Sequence, residues 1–292
     1  MRSKNVNCLS CGADNGEVIL DRESPRHVIC RQCGFVYMNP VPDLSDNQDY
    51  YNSEYWESHH NMSGPITEYP VIPRQRRLLE WIKPYLKPDS KVIEIGCGYG
   101  FNLDYLKKET GIQPEGLEAS IDGCNNTRNA FGIHCHHGFI EDFKPEYKYQ
   151  VAILSHVLEH FENPQGALDL IAGILEEGGV IWVEVPNILF PNPSKNLSLW
   201  LSREHISYFS PGKLKLMLNR AGFRVLKTEN DFYTCIMAVK DGVQSEKPVQ
   251  ENEYRAVKNA LRKHALYYKT FRALRKFGIN IFRKYSLKAY RK

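Results

Sequence analysis

The chain has 292 residues, 42% of them apolar and 12% aromatic, with a net charge of +4. That composition excludes a disordered or fibrous polymer and suffices for one large domain with a smaller companion. No stretch approaches the ~18 consecutive apolar residues of a membrane span, and "MRSKNVNCLSCG" lacks the apolar segment of a secretory signal, so the chain is expected in the cytoplasm with its eight cysteines reduced.

The first cysteines fall as Cys8-x-x-Cys11 and Cys30-x-x-Cys33, with eighteen residues between the pairs and Gly12 and Gly34 after each second Cys. This is zinc-ribbon spacing. Two knuckles each present two thiolates to one tetrahedral Zn²⁺, and the glycine lets the backbone turn its N–H groups toward sulfur. A dithiol redox pair is the competing reading. With all four positions filled by Cys, no ligand position is left for water, so the zinc is expected to be structural and to supply most of the folding energy of residues 1–40. Cys97, Cys124, Cys135 and Cys235 are scattered and read as small buried apolar residues.

Residues 41–75 are crowded with Tyr, Pro and polar residues and show no sustained period, as in a linker or lid. Tyr50, Tyr51 and Tyr55 are candidates to fold over a ligand, with plain packing between domains as the alternative. From 76 to 242 short apolar runs ("KVIEI", "PEGLE", "IHCHH", "QVAILS", "VIWVEV", "RVLKTE", "YTCIMAVK") alternate with helical stretches. Alternation of this kind predicts an α/β fold, a Rossmann-like doubly wound sheet with ligands at the carboxyl ends of its strands.

The first of these strands ends in "EIGCGYG", where Gly96, Gly98 and Gly100 allow a tight turn and close approach of a ligand to the backbone. The dinucleotide fingerprint needs a further Gly at 101, and this chain has Phe101, which favours a nucleoside ligand without a pyrophosphate. Glu118, eighteen residues past Gly100 at the end of the next strand, suits a carboxylate that accepts from ribose hydroxyls.

With "VIEIGCGYG", "GLEAS", "GFIEDF", "SHVLEH", "ILEEGGVIWVEVPN" and "EHISYFSPGKLKLMLNRAGF", roughly residues 76–240 resemble the class I S-adenosylmethionine-dependent methyltransferases, which have a seven-stranded sheet. The resemblance implies that Glu94, Gly96, Gly98 and Gly100 cradle the methionine and adenosine portions, that Glu118, beside Ala119, takes the ribose, and that Ile140, Glu141 and Asp142 frame the adenine. Ser155 and His156 are then expected on the methionine side.

Within "SHVLEH", His156, Glu159 and His160 also match the H-x-x-E-H pattern of the inverted zinc peptidases. That reading needs both His on one helix, whereas "VAIL" before them reads as a buried strand and Asn163-Pro164 ends any helix soon after. For methyl transfer to a hydroxyl, a general base is wanted. Methyltransferases that join a four-cysteine zinc domain to this catalytic domain and act on nucleotide-linked deoxysugars carry a similar Glu-His element, which points to His205 with Glu204 beside it. His156 and His160 are rivals, and a helix cap ahead of Ser210-Pro211 is the plain alternative.

The charge is uneven. Thirteen of the 38 Lys and Arg lie between Tyr254 and Lys292, where there is no Asp or Glu, and the other 25 face all 34 acids. Val257, Leu261, Tyr268, Phe271 and Leu274 recur at helical intervals in this segment, so residues 243–292 read as a basic amphipathic tail. Its candidate partners are the inner membrane surface first, RNA second, and its own domain third. The expected function is methylation, at oxygen or carbon, of a sugar-containing small molecule or glycan precursor, as in polysaccharide biosynthesis. An RNA methyltransferase is the alternative, and a non-enzymatic binding module comes third.

Overall fold

The computed structural model describes residues 3–21, 26–42, 66–242 and 252–276. The candidate lid residues Tyr50, Tyr51 and Tyr55, and the tail from 277 to 292, lie outside the described residues. Short strands open the chain: β1 (Ser3–Lys4), β2 (Gly16–Leu20), β3 (His27–Cys30), β4 (Val36–Met38) and β5 (Val41–Pro42). Helix α1 (Pro73–Ile82) leads into the alternating region. There follow β6 (Val92–Ile95), α2 (Phe101–Thr110), β7 (Glu115–Glu118), α3 (Ile121–Phe131), β8 (His134–His137) and β9 (Tyr149–Ser155). After them come α4 (Pro164–Ile174), β10 (Leu175–Pro186), α5 (Leu197–Trp200), β11 (Ser207–Tyr208), α6 (Pro211–Arg220), β12 (Phe223–Asn230), β13 (Tyr233–Lys240) and α7 (Tyr254–Lys276).

Seven of these strands form one sheet in the order β12-β13-β10-β9-β6-β7-β8. β6 to β10 pair in parallel, and β13 runs antiparallel to both its neighbours. The period-two alternation of the central strands explains the layering. Ile93, Ile95, Ala152 and Leu154 face a core shared with Leu168 and Ile171 of α4 and Leu214 and Met217 of α6. Val92, Val151 and Ile153 face the other way, onto Leu78, Trp81 and Ile82 of α1 and Leu106 of α2. This is the doubly wound α/β fold that the alternation predicts. Because the chain runs outward from β6 through β7 and β8, then returns to β9 on the other side, the sheet reverses between β6 and β9, and a crevice opens at their carboxyl ends.

The N-terminal strands do not stand apart from this body. β2, β3 and β4 form an antiparallel sheet whose fourth strand is β11, with Ser207 opposite Tyr37 and Tyr208 opposite Val36. Helix α7 covers the same junction, where Val257 and Leu261 are buried with Ile29, Val36, Trp200 and Tyr208. Lys258 donates to Glu17 at 2.6 Å, and the Tyr254 hydroxyl donates to the same carboxylate. The first turns of the amphipathic tail therefore spend their apolar face on the protein itself, not on a membrane, while Leu266 further along is exposed. Among the described residues no helix is long and apolar enough to cross a membrane.

Candidate functional site

The glycine turn after β6 lines the crevice. Gly96 and Gly100 have φ of 65° and 81°, which L side chains rarely adopt. A Cβ at Gly96 would sit 2.5 Å from Val157 Cγ2, and one at Gly100 would sit 2.6 Å from Thr127 Oγ1, so neighbouring elements press against the turn. Gly98, with φ of 55°, donates its N–H to Glu118 Oε2 at 2.7 Å, while the Ser120 N–H holds Oε1 at 2.8 Å. Each oxygen keeps a second lone pair for a hydroxyl donor. Burial pushes the Glu118 carboxyl above its usual range, against the lowering effect of those amides.

Glu94 is buried beneath the turn, where Asn102 Nδ2 donates to Oε1 at 2.7 Å and Oε2 has no partner among the described residues. Burial pushes this carboxyl up to about 8. An orphaned buried acid beside a tight glycine turn fits a ligand that brings its own cation or donor. Ile140 is buried and Glu141 and Asp142 are exposed in the turn after β8, and the Ala119 carbonyl faces His137 Nε2 at 3.0 Å. The turn is thus bonded to Glu118, Glu94 lies on the strand that leads into it, and the 140–142 segment follows β8, the strand next to β7.

β9 ends at Ser155, and His156 follows with φ of 57°, the one non-glycine residue among those described with positive φ. After it comes a single 3₁₀ turn over Leu158–His160. The peptidase pattern therefore has no helix to present its two His on one face. His156 instead bridges two carboxylates, with Nδ1 3.3 Å from Glu159 Oε1 and Nε2 3.2 Å from Glu184 Oε1, and its ring stands edge-on to Tyr233 at 4.8 Å. Burial works against charge on this ring, but the bonds to Glu159 and Glu184 prevail and hold its pKa at about 9. Glu184 also receives Arg77 and has Arg74 at 3.6 Å, both from α1.

His160 and His205 meet at right angles, with ring centroids 4.9 Å apart. His160 Nδ1 donates to the backbone carbonyl of Glu204 at 3.0 Å. Ligand atoms of Glu159, His160 and His205 all lie within 4.8 Å of one another. Two atoms here are buried and unpartnered among the described residues, Glu159 Oε2 and His205 Nδ1. Burial, and then the nearness of His160, press the His205 pKa down to about 3, so the ring is neutral at ordinary pH. The Glu159 carboxylate opposes that shift, and is itself held at about 2, where the pairing with His156 overcomes burial.

Neither Glu204 nor His205 caps α6. The Ser210 hydroxyl does so by accepting from the Lys213 N–H at 3.1 Å. The candidate pair is placed instead by β11, which starts two residues later at the edge of the N-terminal sheet. Glu204 enters the cluster through its backbone carbonyl. Glu159 and Glu184 are the acids that sequence reasoning missed as site residues. Glu159 stood in view within "SHVLEH", where its spacing of three from His156 was the available signal.

The four N-terminal cysteines converge, with all four Sγ atoms within 4.8 Å, Cys8 and Cys33 at 3.6 Å, and Cys11 and Cys30 at 3.5 Å. Tetrahedral thiolates about 2.3 Å from zinc would lie roughly 3.8 Å apart, so this set fits Zn²⁺. Gly12 and Gly34 both have positive φ, as a knuckle requires. Cys97, Cys124, Cys135 and Cys235 are buried.

A family model described as a methyltransferase domain matches residues 70–228. A probable S-adenosylmethionine-dependent methyltransferase of Mycolicibacterium smegmatis (strain ATCC 700084 / mc(2)155) is 24% identical over 171 residues, 58% of this chain. The match spans 65% of that relative, just under two thirds of its length. Among solved structures, the magnesium protoporphyrin IX methyltransferase of Synechocystis PCC 6803 with bound SAH shares the fold at a TM-score of 0.50 and 17% identity, covering 68% of this chain and all of that one.

Proposed function

Because this chain belongs to the methyltransferase-domain family, we propose that it transfers a methyl group from S-adenosylmethionine to a sugar-containing small molecule or glycan precursor. The observation that carries the reading is the bond from the Gly98 N–H to Glu118, which joins the glycine turn and the ribose-type carboxylate into one receptor beside the unpartnered acid of Glu94. In our assignment Glu94, Gly96, Gly98 and Gly100 hold the methionine and adenosine portions, Glu118 and Ala119 the ribose, and Ile140, Glu141 and Asp142 the adenine. Ser155 closes the crevice at the end of β9. When bound, S-adenosylmethionine supplies a methyl group already activated on a sulfonium, so the chain's own residues have chiefly to align the acceptor and take its proton.

For that proton we assign His205, neutral and with Nδ1 unpartnered, as general base. A base with so low a pKa is weak on its own, and Glu159 is the group that raises its basicity. His160 is orthogonal to it and orients the acceptor, and His156 fixes Glu159. In the ribbon, Cys8, Cys11, Cys30 and Cys33 hold a structural Zn²⁺. We assign residues 1–40 to this ribbon, 41–75 to the linker, 76–242 to the transferase and 243–292 to the tail. The acceptor class rests on the pairing of a four-cysteine domain with a Glu-His element, the combination found in nucleotide-deoxysugar methyltransferases.

Labelled S-adenosylmethionine, incubated with the zinc-loaded chain against a panel of nucleotide sugars and against total RNA, tests the reading. Label in a sugar is the expected result, and label in RNA alone would replace the acceptor. Calorimetry that finds no affinity for S-adenosylmethionine or S-adenosylhomocysteine would overturn the whole assignment.

A further inference from the structure

A further set of metal-ligand side chains, besides the four cysteines and the Glu159, His160 and His205 cluster, lies at the far edge of the sheet. Glu115 begins β7 and pairs in parallel register with His134, which begins the edge strand β8. His136, two residues on, points to the same face by the alternation of the strand, while Cys135 between them is buried. One ligand atom from each of Glu115, His134 and His136 lies within 4.8 Å of the others, and His136 Nε2 is 3.1 Å from Glu115 Oε2. The two rings stand nearly perpendicular with centroids 4.3 Å apart.

The carboxylate is oriented from behind. Tyr149 donates its hydroxyl to Glu115 Oε2 at 3.0 Å, and Tyr147 donates to Oε1. These are the outer-shell bonds that fix a carboxylate ligand. Glu115 is buried and His134 is exposed, so the open side of the set faces solvent and leaves room for a water ligand. Two imidazoles and one carboxylate suit Zn²⁺ or a neighbouring first-row ion, and offer too few oxygens for Ca²⁺ or Mg²⁺.

We propose that Glu115, His134 and His136 form a second site for a divalent transition-metal ion, of Zn²⁺ type, separate from the four-cysteine ribbon. An ion there clips the edge strand β8 to β7. β8 runs directly into the turn that carries Ile140, Glu141 and Asp142, and the Phe143 ring that closes the turn packs on His136 at 4.9 Å. The proposal does not depend on the acceptor or on methyl transfer, since none of its three ligands belongs to the groups assigned to either.

The test uses the full chain, loaded with zinc or cobalt and dialysed against metal-free buffer. Elemental analysis is expected to give a second ion per chain beyond the ribbon's, and to lose that ion alone in the His134→Ala/His136→Ala variant. Cobalt distinguishes the two environments: the ribbon gives intense thiolate charge-transfer absorption, and the second ion adds weaker visible bands that vanish in the double variant. Tyr147→Phe, which leaves all three ligands in place, is expected to weaken the second ion by about tenfold. A single ion in the unaltered chain, or a second ion retained by a folded double variant, would overturn the proposal, with far-UV circular dichroism certifying that the variant is folded.

Discussion

The Met38 N–H donates to the carbonyl of Ile206 at 2.8 Å, and through it the N-terminal sheet holds the residue next to His205. Met38 and Ile206 are buried in one small cluster with Val41, and Tyr208, opposite Val36 in the β4–β11 pair, lies 5.5 Å from the His205 ring. The ribbon is thus a wall of the candidate active site.

Stripping metal from the ribbon should consequently act on turnover. With Cys30→Ser, or after chelation, displacement of His205 by about 1 Å is expected to lower kcat by roughly 10²-fold, while S-adenosylhomocysteine still binds at the glycine turn. Steady-state kinetics beside calorimetry checks this, and hydrogen exchange should speed up at the amides of residues 206–209. Equal loss of both functions would mean general unfolding instead.

Glu159→Gln keeps the shape of a fully buried side chain and removes its charge. Since Glu159 raises the basicity of His205, kcat is expected to fall by on the order of 10²-fold with cofactor affinity little changed. An unaltered rate for this variant or for His205→Ala would end the general-base assignment.

Gly96→Ala introduces a Cβ against Val157 at a φ of 65°. The left-handed backbone alone costs about 1–2 kcal/mol for an L residue, and the overlap adds to it. A lowered melting temperature and loss of calorimetric binding are expected together. Gly173→Ala, in α4 with open space around it, serves as the control and should leave both intact.

The pKa of His156, about 9, lies above the ordinary 6.5 of a histidine. Its charged form, paired with Glu159 and Glu184, therefore stabilises the fold fully below pH 6.5, and that contribution is lost as pH rises through about 9. His205, depressed to about 3, acts in the opposite sense and disfavours the fold as pH falls below 6.5. Melting curves across pH should show both limbs. His156→Asn, which tolerates positive φ, should flatten the alkaline limb.

Some of this was readable from the residues alone because the physical demand was local. A Cys-x-x-Cys knuckle and a glycine turn each need particular residues at short spacing, and Cys8 to Cys33 and Gly96 to Gly100 are found where those demands place them. Glu159 and Glu184 escaped notice as site residues because their meaning comes from remote segments: Arg77 from α1, and His205 from the loop ahead of β11. β11 was invisible for another reason. Two residues carry no period, and Ser207–Tyr208 is a strand only because β4 offers it an edge. Residues 175–179 ("LEEGG") lie outside the apolar run "VIWVEV" and are nonetheless extended, as the start of β10. In the tail, periodicity announced an apolar stripe and said nothing of its cover.

The docking of α7 bears on how truncated forms must be designed. The Glu253 N–H donates to the Cys33 carbonyl at 3.2 Å, so the helix starts on the second cysteine knuckle, and Val257 and Leu261 then seal Ile29, Val36 and Trp200. Cutting the chain at the composition break near residue 253 would bare that seam and yield an aggregating, metal-poor product whose inactivity could be mistaken for loss of a targeting segment. Removing residues 271–292 alone spares the seal, and is the shortening that lets the cationic end be judged on its own.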